Sequence, residues 1–276
     1  MDTIFAQAIS PEDTTAAMRR FPGPQILDVR RDPAYAAAET SLPGALRRDA
    51  EAVASWADGL EPHRAVIVAC VHGHQVSQGV AAALSARGLD ARYLAGGIDG
   101  WAALGLPMAP KPGKPSVWVT RERPKVDRVA CPWLLRRFVD PDARILYVAP
   151  GEVSRVAEEI GGTAFDVPGA PYTHEGENCS FDAFVARHRP DDPAMARLAT
   201  IVRGADTERP DLHIASGGLF ASALGMSVLF GADDRATLRH AMVLYDALYL
   251  WCRDAQQEAH RWPPVMPNAE NVGVAA

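Results

Sequence analysis

The pattern of apolar positions changes character near residue 110. In the first hundred residues, short apolar runs alternate with stretches of helical texture. Residues 25–29 and 91–95 predict strands. Residues 65–69 form a continuous apolar run, as carried by a strand buried on both faces of a parallel sheet. Residues 76–87 are rich in alanine and predict a helix that Gly88 ends. Ser10, Pro11, Glu12 and Asp13 predict a helix start: an N-cap, a proline at the first helical position, and acids at the positive end of the dipole. The alternation predicts an α/β domain with an open parallel sheet and flanking helices.

Residues 109–116 hold three prolines and a glycine and predict an extended linker. Beyond it the texture turns helical. Residues 117–119 and 144–148 predict strands, and residues 127–139, 152–160, 181–187, 194–203 and 233–252 predict helices. In the last of these, Leu238, Met242, Tyr245, Leu248, Tyr249 and Cys252 fall at helical spacing and predict a core stripe. The Gly- and Ser-rich region 204–230 specifies no element, and the polar tail after Trp262 is expected to fray. The division is therefore a first domain over 1–108, a linker over 109–116, a mainly helical α+β domain over 117–261, and a tail over 262–276.

The 276 residues are 48% apolar and 22% charged, which is globular usage. A net charge of −6 argues against a dedicated nucleic-acid partner, because phosphate neutralisation needs a basic surface. No run of 18 apolar residues and no signal-like start is present, so a cytoplasmic protein without a membrane partner is expected. The four cysteines lie far apart with no Cys-x-x-Cys. They read as free thiols, not a disulfide framework.

Cys70 is the strongest chemical signal. It ends the apolar run 65–69 and is followed by Val71, His72, Gly73, His74, Gln75 and Val76 before the predicted helix. A cysteine on a turn that feeds a helix N-terminus faces successive backbone N–H groups, which favour the thiolate and can cradle a persulfide or an oxyanion. Gly73 supplies the backbone freedom to curl. The alternative is an inert buried thiol.

The first domain resembles the rhodanese family. The carrying pieces are Leu27-Asp28-Val29-Arg30, Leu42-Pro43-Gly44-Ala45, the Cys70 loop, and Leu94-x-Gly96-Gly97-x-x-x-Trp101, in order over residues 4–108. The resemblance implies sulfur transfer through a Cys70 persulfide without a cofactor, with amides 71–76 as cradle and with Asp28 and Arg30 bracing the loop; a structural ion pair or strand cap is the competing reading of that pair. The implied partners are a sulfur donor such as thiosulfate and a thiol acceptor. Two departures stand out. Gln75 stands where the rhodanese loop often carries arginine. The stretch from Cys70 to Gly88 is one residue longer than the usual pattern. If that residue widens the loop, a tetrahedral oxyanion such as chromate becomes an alternative ligand; His72 and His74 could supply part-time charge.

In the second domain, Lys125 and Arg128 precede and open a predicted helix that Asp127 is expected to cap. They are candidate anion-binding residues. Residues 172–182 offer His174, Cys179 and carboxylates, a mixture suited to Zn or another transition metal, with His174 and Cys179 the preferred ligands. Asp206 and His213 would join only if the fold brings them near. Asn178 or Ser180 acting as a helix cap is the competing reading. Lys125, Asp127-Arg128, Cys131-Pro132-Trp133, Arg137-Phe138, Thr173-His174, Cys179-Ser180-Phe181, Arg203-Gly204-Ala205-Asp206 and Tyr245-Asp246 together resemble the C-terminal domain of ChrB-type chromate-resistance proteins, over residues 117–255. That resemblance implies a link to chromate resistance. Two functions follow: a sulfurtransferase working through Cys70, or a chromate- or metal-responsive sensor in which the first domain relays a redox signal or serves as an interaction module.

Overall fold

A computed structural model describes residues 6–111 and 114–257. The first domain runs β1 (Gln7–Ile9), α1 (Pro11–Met18), β2 (Gln25–Asp28), α2 (Asp32–Ala37), β3 (Thr40–Ser41), β4 (Leu46–Arg47), α3 (Val53–Trp56), β5 (Val66–Ala69), α4 (Gln75–Ser85), β6 (Ala91–Leu94), α5 (Gly97–Ala103) and β7 (Ala109–Pro110). Five strands form a parallel sheet in the order β1-β6-β5-β2-β4. The helix start at Ser10 is as expected: Asp13 N donates to Ser10 Oγ at 3.0 Å and Pro11 is the first helical residue.

The continuous apolar runs are explained by two cores, one on each face of the sheet. Leu27, Val66 and Val68 pack on one face with Val80 and Leu84 of α4. Ile26, Ile67 and Ala69 point the other way and pack with Leu94, Ile98 and Trp101. Alternation along each strand sends neighbours to opposite faces, and both faces are covered. β5 is central, so its C-terminal end, where Cys70 stands, opens among strand ends on both sides.

The second domain contains β8 (Val117–Arg121), α6 (Val126–Leu134), β9 (Arg144–Val148), α7 (Val153–Ile160), β10 (Thr163–Ala164), α8 (Ser180–His188), α9 (Pro193–Asp206), α10 (Ser216–Phe230) and α11 (Asp234–Asp254). A parallel three-stranded sheet, β10-β8-β9, packs against the helices around Trp133, Phe165, Phe181, Phe184 and Tyr245, all essentially inaccessible.

Three expectations change. The linker is shorter than 109–116: Ala109 and Pro110 pair with Thr40 and Ser41, and Lys111 N donates to Glu39 O. Residues 112 and 113 lie outside the described residues, as does the tail 262–276. The helix expected over 127–139 starts at Val126 and becomes a π turn over Leu135–Val139. Pro132 inside α6 has no N–H to donate, and the wider turn begins three residues later at Leu135. The region 204–230 holds the 15-residue helix α10. Its glycines hid it from the sequence reading. Ser216 there packs against Gly204 of α9, where a Cβ would fall 2.8 Å from Arg209 O.

The domains are joined by buried charge. Arg137 follows α6, and its guanidinium donates to Asp246 of α11 through Nε and Nη2, each at 2.8 Å, and to Glu61 of the first domain at 2.8 Å through Nη1. His63 lies 3.2 Å from Asp246, and Trp133 Nε1 donates to it at 2.8 Å. Arg48 pairs with Asp142 at 2.7 Å, and Phe21 packs on Trp133, Phe138 and Tyr249. No described helix is long and apolar enough to cross a membrane.

Candidate functional site

Cys70 leaves the end of β5 and enters a four-residue loop before α4, whose N-cap is His74. The loop is held from behind by the start of α5. Ile98 N donates to Cys70 O at 2.9 Å and Asp99 N to Val71 O at 3.0 Å. Gly73 (φ +72°) and Gly97 (φ +62°) meet back to back. A Cβ on Gly73 would lie 2.5 Å from Leu94 O; one on Gly97 would lie 2.5 Å from Val71 O and 2.6 Å from Cys70 O. Both positions therefore demand glycine for space and for the left-handed backbone.

The thiol is only 6% exposed, yet it is not sealed in hydrocarbon. Its Sγ lies 3.1 Å from Ser77 Oγ. Burial alone would raise the thiol pKa. Hydrogen bonds from the Ser77 hydroxyl and from the amides of Ser77, His74 and Gly73 outweigh burial and hold it below the ordinary cysteine value. Of the expected cradle 71–76, Gly73 and His74 thus face the sulfur. His72, His74 and Gln75 are exposed at the mouth, with His72 Nδ1 3.3 Å from Asp99. Val71 and Val76 are half-buried. Ser77 was not anticipated; a hydroxyl in the first turn of the helix after a cysteine loop is the signal that could have shown it.

For Asp28 and Arg30 the structural ion pair holds and the brace on the loop does not. They form a buried ion pair, Nη2 to Oδ2 at 2.6 Å, and Asp28 accepts from Ser41 Oγ at 2.7 Å while Arg30 donates to Thr40 O at 3.0 Å. They brace β3 against the end of β2. No hydrogen bond joins either described side chain to the Cys70 loop, because both spend their polar atoms on each other and on 40–41.

In the second domain, sequence-distant groups converge on His174. Its Nε2 lies 3.4 Å from Asp127 Oδ2, 3.3 Å from Asp206 Oδ2 and 3.4 Å from Asp166 Oδ1. Asp127 does not cap α6: Lys125 is the N-cap residue, and Asp127 is buried in the first turn with its backbone N donating to Asp206 Oδ1 at 3.3 Å. The neighbouring Asp127 carboxylate raises the His174 pKa to about 9, and burial together with Asp127 pushes Asp206 up to about 8.

The anion-binding expectation is corrected for Arg128. Arg128 Nε reaches Asp166 Oδ2 at 3.2 Å and its Nη1 donates to Glu122 O at 3.0 Å, so its charge is committed inside the domain. Lys125 is exposed at the N-cap of α6.

Cys179 is likewise removed from the ligand set. It caps α8, its N–H donating to Asp182 Oδ2 at 3.0 Å and its thiol to the same oxygen at 3.4 Å, in place of Asn178 or Ser180. Burial and nearby carboxylates keep the Cys131 and Cys179 thiols protonated. His213 does not join: it accepts from Ala215 N and packs edge-on to Trp251.

Residues 11–104 match the family of rhodanese-like domains, and residues 118–252 match the family described as ChrB, C-terminal domain. Protein ChrB of Cupriavidus metallidurans is 35% identical over 133 residues, 48% of this chain and 39% of that protein, so the chain spans about two-fifths of this curated relative. Among solved structures, a rhodanese-related protein of Thermoplasma volcanium is 23% identical, with a TM-score of 0.33 over 37% of this chain and 97% of that one. A rhodanese-like domain protein of Staphylococcus aureus is 23% identical, with a TM-score of 0.31 over 34% and 90%.

Proposed function

Because the chain joins a rhodanese-like domain to a ChrB C-terminal domain, we propose that it is a sulfurtransferase linked to chromate resistance. The observation that carries this reading is the Cys70 thiol, whose ionisation is favoured against burial by Ser77 and the loop amides. The Cys70 thiolate attacks the outer sulfur of thiosulfate; the S–S bond of the donor breaks and sulfite leaves with the bonding pair. The new persulfide carries its negative charge on the terminal sulfur at the mouth of the amide cradle. An acceptor thiolate then attacks that terminal sulfur, takes it as its own persulfide, and returns Cys70 as the thiolate. No metal or cofactor enters either step.

Gln75 brings no fixed charge to the mouth, so the dianionic donor is held by backbone amides with His72 and His74 at the rim. A weak apparent affinity for thiosulfate is expected. A cyanide–thiosulfate assay tests the reading. The wild-type chain should form thiocyanate and Cys70→Ser should form none; turnover unchanged in Cys70→Ser would remove Cys70 from the chemistry.

A further inference from the structure

We infer that Asp127, His174 and Asp206 form a binding site for one divalent first-row transition-metal ion. The inference concerns the second domain and is independent of sulfur transfer at Cys70.

The donors are brought together from three separate elements: Asp127 from the first turn of α6, Asp206 from the last residue of α9, and His174 from the segment before α8. One ligand atom of each lies within 4.8 Å of the others. His174 Nε2 stands 3.4 Å from Asp127 Oδ2 and 3.3 Å from Asp206 Oδ2. An ion with bonds of about 2.1 Å to nitrogen and oxygen sets tetrahedral ligands about 3.4 Å apart and octahedral ones about 3.0 Å apart. The two separations from His174 match the tetrahedral edge.

A second observation points the same way. Asp127 is 3% exposed, and its Oδ2, the atom facing His174, is buried without any hydrogen-bond partner. Its ion-pair partner is His174 Nε2 at 3.4 Å, beyond good hydrogen-bond distance, and an under-satisfied buried carboxylate oxygen is a natural partner for a metal cation. Charge agrees. Asp166 is neutralised by Arg121 and Arg128, and its Oδ1 is held by Ser180 Oγ at 2.9 Å. Among the described residues, Asp127 and Asp206 pair with no arginine or lysine and face one imidazole. A dication would take the place of the protons that His174 and Asp206 hold in its absence, leaving two carboxylates and a neutral imidazole around it with no net charge.

The class of ion follows from the donors. Two carboxylates and one imidazole, without thiolate, suit Mn²⁺, Fe²⁺, Co²⁺ or Zn²⁺ and not a soft ion such as Cu(I). His174 is 43% exposed while Asp127 is nearly sealed, so the ion would enter from the histidine side and keep water on its open face. The other convergent set, Glu61, His63 and Asp246, carries no such inference, because Arg137 already supplies its cation.

The test uses the full chain, stripped with a chelator and titrated with MnCl₂ and, separately, ZnCl₂. Heat of binding is followed by calorimetry and bound metal is counted by elemental analysis. One equivalent should bind, raise the melting temperature, and broaden the Mn²⁺ electron-resonance signal. His174→Ala changes a half-exposed side chain and Asp206→Asn keeps the volume; each should weaken binding by about tenfold or more. Cys70→Ser and His63→Ala should bind as the wild type does. No saturable binding, binding that His174→Ala leaves intact, or binding lost in His63→Ala instead would overturn the site. Should either ligand-set variant misfold, the wild-type stoichiometry, resonance signal and His63→Ala titration decide alone.

Discussion

At the residue scale, the decisive quantity is the charge state of one sulfur. Ser77 Oγ lies 3.1 Å from Cys70 Sγ, and once the thiol is ionised only the hydroxyl can donate across that contact, so the bond is worth most when the sulfur is anionic. Ser77→Ala should raise the thiol pKa. Because only the thiolate is alkylated, the loss of rate on lowering pH should set in at higher pH than in the wild type. At neutral pH, iodoacetamide labelling should slow by roughly tenfold or more, the effect of losing one hydrogen bond to a charged group. An unchanged pH profile would show that the amides alone set the charge. Cys70 was legible in the sequence because strand, cysteine, glycine and helix start are consecutive. Ser77 was not, since whether a first-turn hydroxyl turns toward the sulfur depends on the loop path. Asp127 was misread for a related reason. An acid beside a helix start is normally its cap, and here Lys125 takes that position while Asp127 is drawn inward toward His174 and Asp206.

At the element scale, the Cys70 loop is shaped by α5 as much as by its own residues. The contacts of Gly97 with Val71 O and Cys70 O leave no room for a methyl group. Gly97→Ala should therefore cost about 1–3 kcal/mol of stability from strain and displaced backbone. It should also lower sulfur transfer more than Gly88→Ala, a substitution at another positive-φ glycine with open space around it. Thermal melts and thiocyanate rates on the two variants check this. The strands and helices of the first domain were readable because each apolar run serves two cores. In the second domain, α10 escaped the reading because glycine and serine dilute its pattern, and because only Ser216 and Leu219 of it are buried. The metal-ligand expectation failed at Cys179 for an element-level reason too: the thiol is consumed in capping α8.

At the scale of the whole molecule, the two domains share charge that neither could bury alone. Arg137 spans Glu61 and Asp246, with all three side chains under a tenth exposed. Arg137→Ala would leave Glu61 with Arg64 and Asp246 with His63 and Trp133, and should cost about 3–5 kcal/mol. Unfolding of the wild type, followed by calorimetry, should be one transition, and Arg137→Ala should split or broaden it. The junction should also be acid-sensitive. Burial would raise the Asp246 pKa, but Arg137, His63 and Trp133 outweigh it and hold the carboxyl at about 2 against an ordinary 3.8. A depressed carboxyl stabilises the fold fully above the unfolded value and loses that contribution as pH falls through the folded one. About 2 kcal/mol should thus vanish between pH 4 and about 2. Urea midpoints across that window check it, and Asp246→Asn should flatten the slope. None of this was visible in the sequence, where Glu61, Arg137 and Asp246 lie in three unrelated segments.

The most direct measurement is the intact mass of the chain after brief exposure to thiosulfate at neutral pH. The expected result is a gain of one sulfur atom, located at Cys70 by peptide mapping, discharged by cyanide and absent in Cys70→Ser. A wild-type chain that keeps its mass while its Cys70 still reacts with an alkylating agent would contradict the account, because a reactive thiolate would then be present without the transfer it is proposed to perform.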